Sequence, residues 1–243
     1  MFIRHRSHGY VIKKENINEA DQIFSIYTKD FGKIKVLAKA SRRLNSKLRS
    51  SIQVFALAEV GFIQGKTVKT LTDAVLIKRF NNIKNSLLKL RLVYNFSRIF
   101  NALIKVQEMD DRLWGLLNKF FHDLDSEKGD SGKLEIFFYY YFWNLLDVLG
   151  YRPELELCTS CRQKPFPDKF FWISHQGGLI CKNCVNKVKT KIDKIDIQTL
   201  KVLKIILNNG WQVSRRLKID SEIRQGLKII SKKYFNHIYE KDE

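Results

Sequence analysis

The stretch "QIFSIYTKDFGKIKVLAKAS", residues 22–41, decides how the first third of the chain folds. Ile34, Val36 and Ala38 fall on one side of an extended chain, and Lys33, Lys35 and Lys39 on the other. That period of two predicts a strand with one face packed and one face cationic. "KDFGK" carries the turn residues that join it to a preceding strand, "QIFSIYT". Two further apolar runs follow, "SIQVFALAEVGFI" at 51–63 and "TVKTLTDAVLI" at 67–77, and "QGK" between them predicts a hairpin turn. Several short strands within about 80 residues predict a small closed or partly closed β-barrel.

The basic side of this segment extends beyond the strand. Between Phe31 and Ala58 there are seven Lys or Arg and no Asp or Glu: Lys33, Lys35, Lys39, Arg42, Arg43, Lys47 and Arg49. A lysine-rich edge that blocks strand-to-strand aggregation would explain the strand lysines alone. The whole chain has the same bias, with 44 Lys+Arg against 25 Asp+Glu for a net charge of +19. Such a surplus is the electrostatic footprint of a nucleic-acid binder, although an anionic membrane would attract it too. No run reaches the roughly 18–20 apolar residues of a membrane span, and "MFIRHRSHGYVIKK" has no apolar core for a signal peptide. A soluble, intracellular chain with reduced thiols is expected.

After Phe80 the period changes. "IKNSLLKLRLVYNFSRIFNALIKV" (83–106) and "RLWGLLNKFFHDL" (112–124) space their apolar residues three and four apart, as amphipathic helices do. "DSEKGDSGK" (125–133) has no apolar residue and predicts a loop or short linker. In "LEIFFYYYFWNLLDVLGY" seven consecutive aromatics, Phe137 to Trp143, would cover every side of a helix. That predicts burial inside a bundle rather than a platform for stacked bases, which needs aromatics on one exposed face among basic residues. Gly150 and Pro153 stop this helix. Two amphipathic helices, "TLKVLKIILNN" and "EIRQGLKIISKKYFNHIYEK", follow at 199–209 and 222–241.

Four cysteines lie between these helices, Cys158 and Cys161 in "CTSC", Cys181 and Cys184 in "CKNC", with nineteen residues between the pairs. Two residues between ligands let one tight turn aim both sulfurs at one ion, and two such turns complete a tetrahedron. Between them "KFFWISHQGGLI" predicts two short strands bent at Gly177–Gly178, the architecture of a zinc ribbon. Four protein ligands leave no open position, so the expected Zn2+ is structural. His175 could replace one ligand, but four thiols already suffice. A redox pair would need a thioredoxin-like βαβ unit, and none is visible.

Signs of catalysis are missing from the motifs. The chain has no phosphate-cradling glycine loop, nucleophile elbow or His-Glu-x-x-His. His5 and His8 lack acidic companions and suit a basic N-terminal strand better than a metal pair. No enzyme activity is expected. The fold expected from the residues is α+β, with a barrel over 1–80 followed by a helical domain over 81–243 carrying the ribbon at about 155–190.

This order resembles the RecO family of bacterial recombination mediators. "FWNLLDVLGYRPELELCTSC" carries the likeness most specifically, through Leu-Gly-Tyr-x-Pro ahead of a Cys-x-x-Cys, and "GGLICKNC" and "YTKDFGKIKVLAKASRR" extend it. The chain departs from the family in reading "AKASRR" where a glycine usually precedes the basic cluster. It also places Arg162 and Val185, not glycine, after the second cysteine of each pair. The resemblance implies an OB-fold barrel that binds single- and double-stranded DNA, annealing of complementary strands, and cooperation with RecR in loading RecA on DNA coated by single-strand-binding protein. It further implies docking of that protein's acidic C-terminal tail on the helical domain, and a bacterial, cytoplasmic, nucleoid-associated location. On charge and ribbon alone, an RNA-binding or transcription-associated zinc-ribbon protein fits as well. A zinc hydrolase would need an open metal position, and a scaffold would bind acidic partners but not naked DNA.

Overall fold

The computed structural model describes residues 3–65, 68–105, 109–165, 170–189 and 192–241, and the chain forms two compact units, Met1–Glu127 and Lys128–Glu243.

In the first unit five strands close a barrel: β1 (Arg4–Asn16), β2 (Gln22–Thr28), β3 (Gly32–Ala38), β4 (Leu57–Gln64) and β5 (Lys69–Lys78). Their order is β1-β2-β3-β5-β4, closed by β4 pairing back to β1. β3 and β5 are parallel and the other neighbours antiparallel. This five-stranded closure is consistent with an OB-fold. Ile34, Val36 and Ala38 point inward and fill the barrel with Val11, Phe24, Ile26, Val60 and Phe62, as their alternation predicts. Lys33 lies opposite Tyr27 and Lys35 opposite Ser25, both outside.

The run 51–63 is not one strand. A short helix α1 (Lys47–Ser51) occupies its start, and β4 begins only at Leu57. Between them Phe55 adopts a left-handed φ of 62°, and this bend lets Phe55 N–H donate to Val11 O while Val11 N–H donates to Ala56 O. Ile52 is then buried in the barrel core. Of the predicted "QGK" turn, residue 66 lies outside the described residues.

Ala40, within "AKASRR", has a φ of 52°. A Cβ in that region costs about 1–2 kcal/mol, offset in part by the extra unfolded-state entropy of glycine. Its N–H donates to Asp21 Oδ1 at 2.7 Å, so the turn is held in place. Ala40→Gly is expected to stabilise the barrel by roughly 0.5–1 kcal/mol, measurable by chemical denaturation. An unchanged or lower midpoint would mean the turn is unstrained.

Three helices complete this unit: α2 (Asn81–Lys84), α3 (Leu87–Leu103) and α4 (Asp111–Ser126). Ser86 caps α3 by accepting from Lys89 N–H, and Asp110 caps α4 by accepting from Arg112 and Leu113 N–H. Tyr10 of β1 stacks on Phe121 of α4 at 4.7 Å and donates to Asn118 Oδ1 at 2.7 Å. Phe96 of α3 stacks on Phe120 at 3.9 Å. These rings tie α3 and α4 to the barrel, so the compact unit runs to Glu127, past the change from strand to helix near residue 80.

The second unit starts with α5 (Ser131–Val148), whose cap Asp130 accepts from Lys133 N–H. Only Glu127–Asp130 of the predicted linker is therefore outside a helix. The aromatic run is core: Phe137, Tyr139, Tyr141, Phe142 and Trp143 are buried. Phe137 meets Trp211 of the one-turn helix α8 (Trp211–Ser214), and Trp143 stacks on Tyr234 of α9 (Ser221–Lys241) at 5.4 Å. Gly150, with φ 84°, ends α5. Its N–H donates to Asp147 O and that of Tyr151 to Leu146 O, which is a Schellman closure. β6 (Phe170–Ile173), β7 (Gly178–Cys181) and β8 (Asp193–Lys194) form a small sheet, with α6 (Lys182–Val185) and α7 (Ile197–Asn208) completing the unit. Among the described residues no helix is long and apolar enough to cross a membrane.

Candidate metal centre and nucleic-acid interface

The ribbon brings the four thiols together from two turns. In the first, Arg162 N–H donates to Cys158 O and Cys158 N–H to Gln163 O, both at 2.9 Å. Arg162 takes a φ of 59° there, so an arginine holds the left-handed position that glycine would fill at lower cost. In the second, Cys181 ends β7 and Cys184 lies in α6. Both glycines of the bend are used. Gly177 has a φ of 71°, and a Cβ on Gly178 would stand 2.3 Å from Glu154 O.

The four sulfurs lie within 4.8 Å of one another, and Cys161 Sγ is 3.8 Å from Cys181 Sγ. All four are free thiols. A tetrahedral ion with metal–sulfur bonds of about 2.3 Å separates its ligands by about 3.8 Å. Cys158 and Cys184 are buried, Cys181 is half-buried and Cys161 is exposed. Burial alone would raise the Cys158 thiol, but the N–H groups of Cys161, Cys181 and Ser160 outweigh it and bring it down to about 6. Burial and the neighbouring thiols push Cys184 up to about 12. One thiolate is thus prepared while its neighbour resists ionising, a conflict that a cation bound among them resolves. The cluster can hold a metal ion and its donor chemistry fits a thiophilic divalent one. His175 is not part of the cluster; it lies in the turn Ser174–Gln176, with its ring 6.4 Å from that of His237. His5 packs on Phe31 and Phe62, while His8 approaches Glu59, so the two do not converge on a common site.

The seven basic residues of 33–49 fall into two groups. Lys33 is turned inward to α3: its Nζ donates to Asn101 O and Ile104 O, each at 2.5 Å. Burial, with Lys35 and Lys13 nearby, lowers its ammonium to about 8. Lys35 is exposed on the outer barrel face, in register with Ser25 and, across it, Lys13. Lys39, Arg42, Arg43, Lys47 and Arg49 are all exposed beyond the end of β3. Their loop is pinned to the β1–β2 turn, where Arg42 N–H donates to Ala20 O and the Arg42 guanidinium to Asn18 O. One such bond leaves most of the guanidinium's five donors for a ligand.

Arg42 and Arg49 line a cleft of about 620 Å³ together with Lys14 and Lys84. Among the described residues no acidic one lines it. Lys14 and Lys84 are not in the basic run that marks the site in the sequence. Strand pairing brings Lys14 there, opposite Phe24 of β2. Lys84 comes from α2, and no local pattern connects it to the loop. Lys84 Nζ donates to Gln53 Oε1 at 2.6 Å, which anchors it over the cleft.

Comparison with known proteins gives one consistent result. A family model described as Recombination protein O N terminal matches residues 1–80, and one described as Recombination protein O C terminal matches 85–243. A DNA repair protein RecO of Dehalococcoides mccartyi is 30% identical over 238 residues, covering 98% of this chain and 91% of the relative. Those of Caldanaerobacter subterraneus and Halalkalibacterium halodurans are each 26% identical, over 96% of this chain and 92% and 89% of their own lengths.

Proposed function

Because the chain belongs to the RecO family of DNA repair proteins, we propose that it is a recombination mediator that binds single- and double-stranded DNA and anneals complementary strands. In this role it works with RecR to load RecA on DNA coated by single-strand-binding protein, whose acidic tail docks on the helical domain. The observation that carries the DNA part is the cleft lined by Lys14, Arg42, Arg49 and Lys84 on a closed five-stranded barrel. Cations along a groove replace the counterions of a phosphate backbone with little regard to sequence. Screening two strands at once lowers the repulsion that opposes their pairing. Neither step consumes a nucleotide or needs a catalytic group.

We assign the contact to Lys35, Lys39, Arg42, Arg43, Lys47 and Arg49, with Lys14 and Lys84 added. Lys33 contributes least, its ammonium being taken up by the end of α3. The ion held by Cys158, Cys161, Cys181 and Cys184 is Zn2+ in a structural role.

The test is annealing of two complementary strands, each coated with the cognate single-strand-binding protein, with or without its C-terminal tail. Acceleration that depends on the tail is expected. Absence of annealing on naked strands as well, together with preference for structured RNA, would replace the mediator by an RNA-binding ribbon protein.

A further inference from the structure

Beside the cationic cleft is a second cavity of about 440 Å³, within the range of small-ligand sites of about 300–1,000 Å³. Ile12, Val54 and Phe55 give it apolar walls, and Ser97 and Asn101 of α3 also line it. Ser97 Oγ and Asn101 Oδ1 are themselves buried, with no hydrogen-bond partner among the described residues. Lys13, Lys14 and Arg98 bring cations to the same cavity, and among the described residues no acidic one lines it. Tyr94, also lining it, keeps 61% of its surface exposed. It lies one turn before Arg98 and one turn after Arg91 on the exposed side of α3, so an aromatic face is flanked by two guanidinium groups. Lys14 and Val54 line both this cavity and the cleft, so the two adjoin.

We propose that this cavity receives one unstacked base of a DNA single strand whose backbone follows the adjoining cleft. The inference rests on the DNA-binding role proposed above and adds the place where a base is held. Tyr94 offers the ring on which the base stacks. Lys13, Lys14 and Arg98 at the cavity can donate to the carbonyl oxygens of the base. A duplex keeps its bases paired and cannot use the cavity, so the site favours single strands.

The experiment compares two fluorescent oligonucleotides of equal length, one of thymidines and one with abasic sites, by anisotropy at low salt. Each is titrated with the full chain, with Tyr94→Ala and with Tyr94→Phe; Tyr94 is exposed, so neither substitution disturbs the core. Tyr94→Ala is expected to weaken binding of the thymidine strand about tenfold or more and leave the abasic strand unchanged, while Tyr94→Phe keeps the affinity. Equal losses on both strands, or none on either, overturn the base site while the DNA-binding role stands. An acidic peptide whose binding Tyr94→Ala abolishes while both strands still bind would also overturn it. Failure of the unaltered chain to bind either strand sinks the DNA-binding role itself, and this inference with it.

Discussion

Replacing Cys158 by serine is expected to destabilise Lys128–Glu243 by on the order of 3 kcal/mol or more, the largest effect of any single substitution considered. Cys158 is fully buried and packs with Ile173, Ile180 and Cys184 at the centre of the ribbon. Its sulfur also accepts the Cys181 N–H at 3.4 Å, linking the two turns. Serine brings a harder, smaller oxygen that neither fills the site nor binds zinc well. The exposed Cys161 should tolerate the same change better, because water can take the fourth position there. Thermal unfolding followed by tryptophan fluorescence reads the effect, since Trp143 and Trp172 are both buried in this unit. A strong chelator should move the unaltered chain toward the Cys158→Ser midpoint. Acid should do the same to the metal-free chain: the folded Cys158 thiol is depressed to about 6 from an ordinary value of about 8.5, so its thiolate contributes fully only above the ordinary value, and that contribution is lost as pH falls through about 6. If chelator, acid and substitution all leave the midpoint in place, the ribbon stands on its apolar packing and the metal is dispensable.

What the residues disclosed in advance depended on whether the signal was local. Ile34, Val36 and Ala38 announced their strand because side-chain alternation is a property of neighbours, and the four cysteines announced their cluster because ligand spacing is as well. The closing of the barrel was not local in this sense. Val36 pairs with Lys69 across more than thirty residues, and nothing near either one marks the other. The burial of Lys33 in the end of α3 was hidden for the same reason: its partners are carbonyls of Asn101 and Ile104, which any residue possesses. Phe55 concealed its bend, since a left-handed φ in a non-glycine has no compositional mark. Ala40 and Arg162 are left-handed in the same way and equally unmarked by their residue type. For the site, the loop cations were legible as a charge run, whereas Lys14 and Lys84 became visible only when the fold brought them to one cleft.

The cleft itself can be tested through salt. With Arg42→Ala and Arg49→Ala combined, single-stranded DNA affinity is expected to fall about tenfold or more at low salt. Both side chains are exposed and line the cleft, so the loss should come from phosphate contacts and not from the fold. The slope of log affinity against log salt decides between these. Each phosphate neutralised on a single strand contributes about 0.7 to the slope, so removing two cations should make it shallower by about 1.4. A loss through misfolding would lower the amount of active protein and leave the slope of the remainder as it was. Lys33→Ala supplies the internal comparison: Lys33 belongs to the same basic run, but its ammonium serves the carbonyls of α3. It should lower stability and leave the slope nearly unchanged. A Lys33→Ala slope change as large as that of the arginine pair would move the DNA path from the loop end of the barrel to the outer face of β3, where Lys35 lies.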